Sequence, residues 1–175
     1  MMNNDSTLFC VKCAQPSLVK QGEKAYRCDL CDFVYFHNVA AAVCAVIVCD
    51  GQLLLVERAQ HPSKGKLDFP GGFVDYNESS EQALKRELFE ELQLPIDEMR
   101  YLLSYPNRYL YKDILYSTLD NFFEITLQSK PDLVLQQEEV SRYLWIDASS
   151  VDSKQLAFAS GQHALSEHLS RARVT

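Results

Sequence analysis

Residues 71–94, GGFVDYNESSEQALKRELFEELQL, decide how this chain is read. The stretch opens as a glycine turn and becomes a helix crowded with carboxylates. With Glu87 at zero and about 100° per residue, Glu90 falls at about 300° and Glu91 at about 40°. Three carboxylates then share an arc of roughly 100°, although like charges at these spacings repel. A hard divalent cation accounts for such crowding better than solvent does. Leu84, Leu88 and Leu92 fill the adjoining sector, so the acidic edge borders a buried stripe. The stretch reads as a metal-binding catalytic helix. Ser79 or Ser80 supplies its cap, Glu81 sits in its first turn, and Pro95 prevents its continuation past about Leu92.

Upstream, 39–49 (VAAAVCAVIVC) is nearly all apolar, and 53–56 follows across Asp50-Gly51. Aliphatic and β-branched residues flanking a DG turn predict two paired strands, the first buried on both faces. Cys44 and Cys49 belong to that core, where free cysteine behaves as a small hydrophobe. Arg58 and the pair Lys64 and Lys66 could meet phosphate at a cleft mouth, with solvated loop charge as the alternative for the two lysines. Downstream, 100–105 and 116–126 read as strands. Between them, 106–113 (PNRYLYKD) reads as an aromatic and basic loop, either with Tyr109 to stack on a base and Arg108 or Lys112 to meet phosphate, or as a surface loop that packs on its own domain. The polar loop 128–140 carries Glu138 and Glu139, residues 144–146 form a short strand, and 153–173 a last amphipathic helix. His163 and His168 lack companions at ligand spacing and are assigned to that helix's surface.

A separate pattern occupies the N-terminal part. Cys10-x2-Cys13 and Cys28-x2-Cys31 are separated by fourteen residues, which suits a closed tetrahedral zinc site of four thiolates. The unit, bounded as 1–36, has too few apolar residues to fold without such a staple. Four clustered cysteines without a visible secretory signal in MMNNDSTLFC read as metal ligands before disulfides. The remainder, 37–175, is one ordinary domain by length.

No apolar run approaches the roughly 20 residues of a membrane helix. A net charge of -7 argues against broad nucleic-acid binding, which rests on a basic patch. It does not oppose a phosphorylated substrate, because bound cations reverse the field within one cleft. The expected setting is the cytoplasm.

Gly72, Glu78 and then Arg86-Glu87-Leu88-Phe89-Glu90-Glu91-Leu92-Gln93-Leu94 resemble the Nudix box of the Nudix hydrolases. Every demanded position agrees except Gln93, where that family has glycine. The ribbon ahead of the box makes the chain similar to the family's NADH pyrophosphatase branch. The resemblance implies an α/β fold, an α/β/α sandwich with a mixed sheet preceded by a small zinc ribbon. It implies hydrolysis of a pyrophosphate bond in a nucleoside diphosphate derivative, such as ADP-ribose or NADH. Glu87, Glu90 and Glu91 would hold Mg²⁺ or Mn²⁺, with a backbone carbonyl near Gly71-Gly72 as a further ligand. Arg86 would pair with a carboxylate and fix the helix, and Glu78 would brace the loop or reach the metal through water. A fourth carboxylate would act as ligand or general base, for which Glu138 and Glu139 are the candidates and Asp120 and Glu124 the alternatives. The zinc would be structural, and the family is often dimeric. The branch's Ser-Gln-Pro-Trp element is here Ser104-Tyr105-Pro106-Asn107, which leaves the dinucleotide open. The competing reading is a nucleotide-sensing protein whose ribbon serves as an adaptor to protein or nucleic acid.

Overall fold

A computed structural model describes residues 8–172. Residues 1–7, which carry most of the opening stretch, and Arg173, the expected end of the last helix, lie outside the described residues. The chain divides into two units between Val39 and Ala40.

The first unit is a three-stranded antiparallel sheet of β1 (Leu18–Gln21), β2 (Ala25–Cys28) and β3 (Val34–Phe36). Phe9, Val11, Leu30 and Phe36 are exposed, and among the described residues of this unit the buried apolar ones are Cys10 and Cys28. Among its described residues the unit therefore has almost no apolar core, and its four sulfurs are left to hold it.

In the second unit, β4 (Ala40–Cys49) and β5 (Gln52–Arg58) form the expected hairpin. Asp50 and Gly51 both take positive φ, 49° and 74°, as a two-residue turn between twisted strands demands. Two short strands follow, β6 (Leu67–Asp68) on β5 and β7 (Gly71–Phe73) on β4. Helix α1 spans Ser80–Leu92, and β8 (Arg100–Tyr111), β9 (Ile114–Thr126) and β10 (Val140–Asp147) complete the sheet. The strand order is β10-β5-β4-β9-β8, with β4 and β9 parallel and the other pairs antiparallel. Helix α2, Ala159–Ala172, covers the opposite face. One apolar cluster joins Val43, Ile47 and Phe123 to Leu84, Leu88 and Leu92 of α1. The other joins Val46, Leu55 and Phe122 to Ala164 and Leu165 of α2. The mixed sheet is thus held between two helices.

Both ends of α1 follow from local chemistry. Ser79 is the N-cap: its Oγ accepts from Gln82 N at 3.2 Å while its own N–H donates to Gln82 Oε1 at 2.8 Å. Gln93 takes the left-handed conformation that a glycine would take there, at φ 53°. Its Nε2 donates to Phe89 O at 2.9 Å, which partly offsets the strain. We expect Gln93→Gly to raise stability by about 0.5–1 kcal/mol in urea unfolding. A loss of stability would show that the side-chain bond outweighs the backbone strain.

Three expectations are corrected. Residues 106–111 are not a loop: β8 runs unbroken to Tyr111 and turns at Lys112-Asp113. Pro106 is tolerated because β8 is an edge strand and needs no outward N–H. The last helix begins at Ala159 rather than 153, because Asp152 caps only a single tight turn at Ser153–Gln155. Leu156 then pairs with Leu67 before the helix starts. His168 is buried, with Nδ1 2.6 Å from Glu124 Oε1, whereas His163 is exposed and stacks on Tyr105 at 3.8 Å between centroids.

Candidate active site

Gly71 and Gly72 let α1 approach the sheet. The Gly71 N–H donates to Glu91 Oε2 at 3.1 Å, and a side chain at Gly71 would run into Val43 O at 2.1 Å. At Gly72 an added Cβ would lie 2.5 Å from the Glu87 carboxylate, so Glu87 rests directly on glycine backbone. Arg86 organises the acidic edge. It donates through Nε to Glu78 Oε1 at 2.8 Å, through Nη1 to Glu87 at 2.8 Å and Glu90 at 3.0 Å, and through Nη2 to Phe73 O at 3.0 Å. Glu78 also accepts from Asp75 N, which ties the loop before α1 to its flank.

The electrostatics single out Glu91. It is 6% exposed, and among the described residues no cation forms an ion pair with it. Burial pushes its carboxyl well above the ordinary range; the Gly71 N–H opposes this, and Glu87, Glu139 and Asp68 add to it. Burial also raises Glu87, against the pull of Arg86, with Glu90 and Glu139 raising it further. Oxygen donors gathered at such cost, with one acid buried and uncompensated, fit a divalent cation.

The loop from 127 to 139 brings in one further carboxylate. Val134 and Gln136 N–H cap the carbonyls of Leu92 and Glu91, and Ala59 N–H holds the Glu139 carbonyl at 2.9 Å. Glu139 consequently lines a cavity of about 450 Å³ together with Glu87, Glu90, Glu91, Gly71, Gly72 and Arg86. Arg58 and Tyr109 line the same cavity; Glu138, Arg108, Lys64 and Lys66 do not. Along β8 the half-buried positions are Leu103, Tyr105, Asn107 and Tyr109, while Pro106, Arg108 and Leu110 are exposed on the other face. Glu124 is occupied by Arg100 and His168 away from the cavity, whereas Asp120 lies on its floor.

Sequence reasoning missed several lining residues. Phe73 and Phe158, neither of them expected, flank the expected Tyr109 in an aromatic wall, with centroid separations of 5.5 Å and 5.7 Å. Arg58 lies over Phe158 at 5.0 Å and pairs with buried Asp68 at 3.0 Å. Burial lifts the Asp68 carboxyl to about 6 even against Arg58. Cys49 is buried as expected, but Cys44 is half-buried and faces the cavity. The alternation of residues 105–111 was the available signal for the β8 side of this wall. Phe158, Asp68 and Ser160 carried none.

In the N-terminal unit the four cysteine sulfurs lie within 4.8 Å of one another. Cys10–Cys31 and Cys13–Cys28 are each 3.7 Å apart. A tetrahedral site with bonds of about 2.3 Å has edges of about 3.8 Å, so the spacing fits zinc. The Ser17 hydroxyl, 3.0 Å from Cys28 Sγ, draws that thiol down to about 6 against burial, whereas, against the Phe33 N–H, burial and the neighbouring thiols push Cys31 up to about 12, so the first negative charge of the cluster falls on Cys28.

Residues 37–169 match the family model of the NUDIX domain. The chain belongs to the NUDIX family. Within it, the NAD-capped RNA hydrolase NudC of Edwardsiella ictaluri is 34% identical over 98 residues, covering 56% of this chain and 38% of that protein. The Chromobacterium violaceum NudC is 32% identical over 96 residues, covering 55% of this chain and 36% of that protein. The matched stretch thus spans well under half the length of either relative. Among solved structures, a MutT NUDIX hydrolase from Burkholderia pseudomallei aligns with a TM-score of 0.64 at 22% identity, covering 74% of this chain and 98% of the other. The NUDIX domain of Shewanella oneidensis NrtR, complexed with ADP ribose, aligns at 0.63 and 24% identity, covering 80% and 91%. These likenesses show the NUDIX fold. No helix among the described residues is long and apolar enough to cross a membrane.

Proposed function

We propose that this NUDIX chain hydrolyses the pyrophosphate bond of a nucleoside diphosphate derivative, ADP-ribose or a nicotinamide dinucleotide. The carrying observation is the seating of Glu87 and Glu91 on Gly71-Gly72, which leaves a buried, uncompensated carboxylate inside a nucleotide-sized cavity. Glu87, Glu90 and Glu91 would hold Mg²⁺ or Mn²⁺. When bound, such an ion neutralises phosphate oxygens and lowers the pKa of a coordinated water. Arg86 sets the positions of Glu87 and Glu90 from behind, and Glu78 holds Arg86 in turn. Glu139 takes the proton of the attacking water as its oxygen bonds to phosphorus. The bridging P–O bond breaks, and its electron pair leaves on the departing monophosphate. Arg58 faces the phosphates, and Tyr109 offers its ring to a base. Glu138 and Arg108, which do not line the cavity, take no part.

The names of the curated relatives, NAD-capped RNA hydrolases, and the ADP ribose held by the NrtR domain support this choice of substrate class. A panel of NADH, ADP-ribose, dinucleoside polyphosphates and nucleoside triphosphates, each with Mg²⁺ or Mn²⁺, tests it. No turnover of any member would sink the enzymatic reading. Glu90→Gln removes hydrolysis while keeping nucleotide binding.

The zinc is structural in this reading. We expect a zinc-selective chelator, followed by dialysis and restored Mg²⁺, to melt the N-terminal strands and lower the first thermal transition. Turnover at low temperature should stay within about threefold. A much larger loss of turnover with no change in melting would assign the ribbon a catalytic role. A cytoplasmic setting follows from thiolates that must remain reduced. A homodimer is supported by exposed Leu110, Leu115 and Leu119 on the outer face of β8 and β9, and sedimentation tests it.

A further inference from the structure

The cavity floor carries a charge for which the pyrophosphatase reading has no use. Asp120 is 5% exposed and lines the cavity. Its Oδ1 accepts from Thr118 Oγ1 at 2.7 Å, and its Oδ2 accepts from Asn107 Nδ2 at 2.8 Å and Ser160 Oγ at 2.6 Å. All three donors are neutral, and no ion pair reaches Asp120 among the described residues. Arg58, the arginine on this side of the cavity, is matched by Asp68. Arg86 is committed to Glu78, Glu87 and Glu90. A negative charge therefore remains buried beside the wall of Phe73, Tyr109 and Phe158.

A buried carboxylate repels phosphate, so the pyrophosphate lies toward the α1 carboxylates with their cations, and another part of the substrate meets the floor. Two kinds of group suit a carboxylate under an aromatic wall: a base that donates two hydrogen bonds to it, or a cation. Three of the roughly four lone-pair sites of Asp120 are taken, on both oxygens, which leaves no free edge for a two-bond contact. Attraction for a cation needs no lone pair. The same wall already accommodates one, since the Arg58 guanidinium sits over the Phe158 ring.

Resting on the pyrophosphatase reading, the geometry points to Asp120 as a specificity-determining residue that selects dinucleotides whose second ring is a heteroaromatic cation. NAD⁺ and NADH probe this directly, because they differ in the charge of that ring. In the full-length protein with Mg²⁺, kcat/KM for NAD⁺ should exceed that for NADH by about tenfold or more. Asp120→Asn should bring the ratio close to one. The ratio is taken within each preparation, so a variant that folds in part still reports it. Equal rates, a preference for NADH, or an unchanged ratio in Asp120→Asn would overturn the inference. Hydrolysis of ADP-ribose with neither dinucleotide cleaved would overturn it while leaving the pyrophosphatase reading intact. If none of the three is cleaved, that reading fails. Calorimetric titration of Glu90→Gln with NAD⁺ and NADH then decides charge selection on its own, and equal affinities count against it.

Discussion

Glu91→Gln is expected to lower hydrolysis by about 10³-fold or more and, without metal, to stabilise the protein. The two effects have one origin. Glu91 is a buried acid that meets the Gly71 N–H but, among the described residues, no cation, so the apo fold bears its desolvation. Glutamine keeps the acceptor for Gly71 and removes the charge, which should raise apo stability by about 1 kcal/mol or more. The same change takes a ligand from the divalent cation, whose contribution to the transition state is several kcal/mol. The pH dependence fixes the sign. A carboxyl raised in the folded state binds a proton more tightly there than in the unfolded chain. It therefore contributes stability at low pH that is lost as pH rises through the folded value. Asp68, lifted to about 6, acts in the same direction. Metal-free wild type should lose stability as pH rises through about 6, where Asp68 titrates, and the gap between Glu91→Gln and wild type should widen as pH rises. Thermal melts with chelator at three pH values suffice. A variant less stable than wild type at pH 8 without metal would mean that Glu91 is a structural acid, not a ligand awaiting an ion.

Alanine at the paired glycines should separate folding from chemistry. At Gly71 the added Cβ meets Val43 O at 2.1 Å and the Cys44 Cα at 2.9 Å, on a backbone at φ 143°. Nothing there is the end of a flexible side chain, so β7 must leave β4. Gly71→Ala is expected to cost about 3 kcal/mol or more, or to prevent soluble expression. At Gly72 the three atoms nearest an added Cβ all belong to the Glu87 carboxylate, at 2.5–2.6 Å. Gly72→Ala should fold and push Glu87 outward by about an ångström, with turnover falling by about 10²-fold. Added Mn²⁺ should restore little, because the defect lies in ligand position. Equal thermal losses in the two variants would contradict this division.

How much of this was legible depended on the distance over which each residue acts. The acidic helix, its Ser79 cap, the Asp50-Gly51 turn and the four-cysteine spacing are local chemistry, and each was readable within a few residues. Even the misfit at Gln93 was readable, as a residue placed in the left-handed conformation. The run 106–111 was misread because proline and mixed polarity resemble a loop; an edge strand accepts both, which only the strand order reveals. Asp120 was named as an alternative carboxylate, but its partners on the cavity floor were invisible for another reason. Ser160 reaches Asp120 across 40 positions, and His168 reaches Glu124 across 44. Pairings of that span leave no period in the sequence. Glu138 and Glu139 were indistinguishable until the loop was seen anchored on α1 and β5, which points one carboxylate inward.

Arg86 also bears on how the protein responds to its surroundings. Its guanidinium sits on Glu87 and Glu90 as a resident counterion, so part of the acidic edge is balanced before any metal arrives. An incoming ion displaces an existing attraction instead of relieving bare repulsion, and its net gain in affinity shrinks accordingly. If these glutamates hold the proposed ion, its occupancy would track the free concentration of the ion more closely than at an edge without the arginine. The arginine that steadies the helix would then make hydrolysis a graded readout of divalent supply.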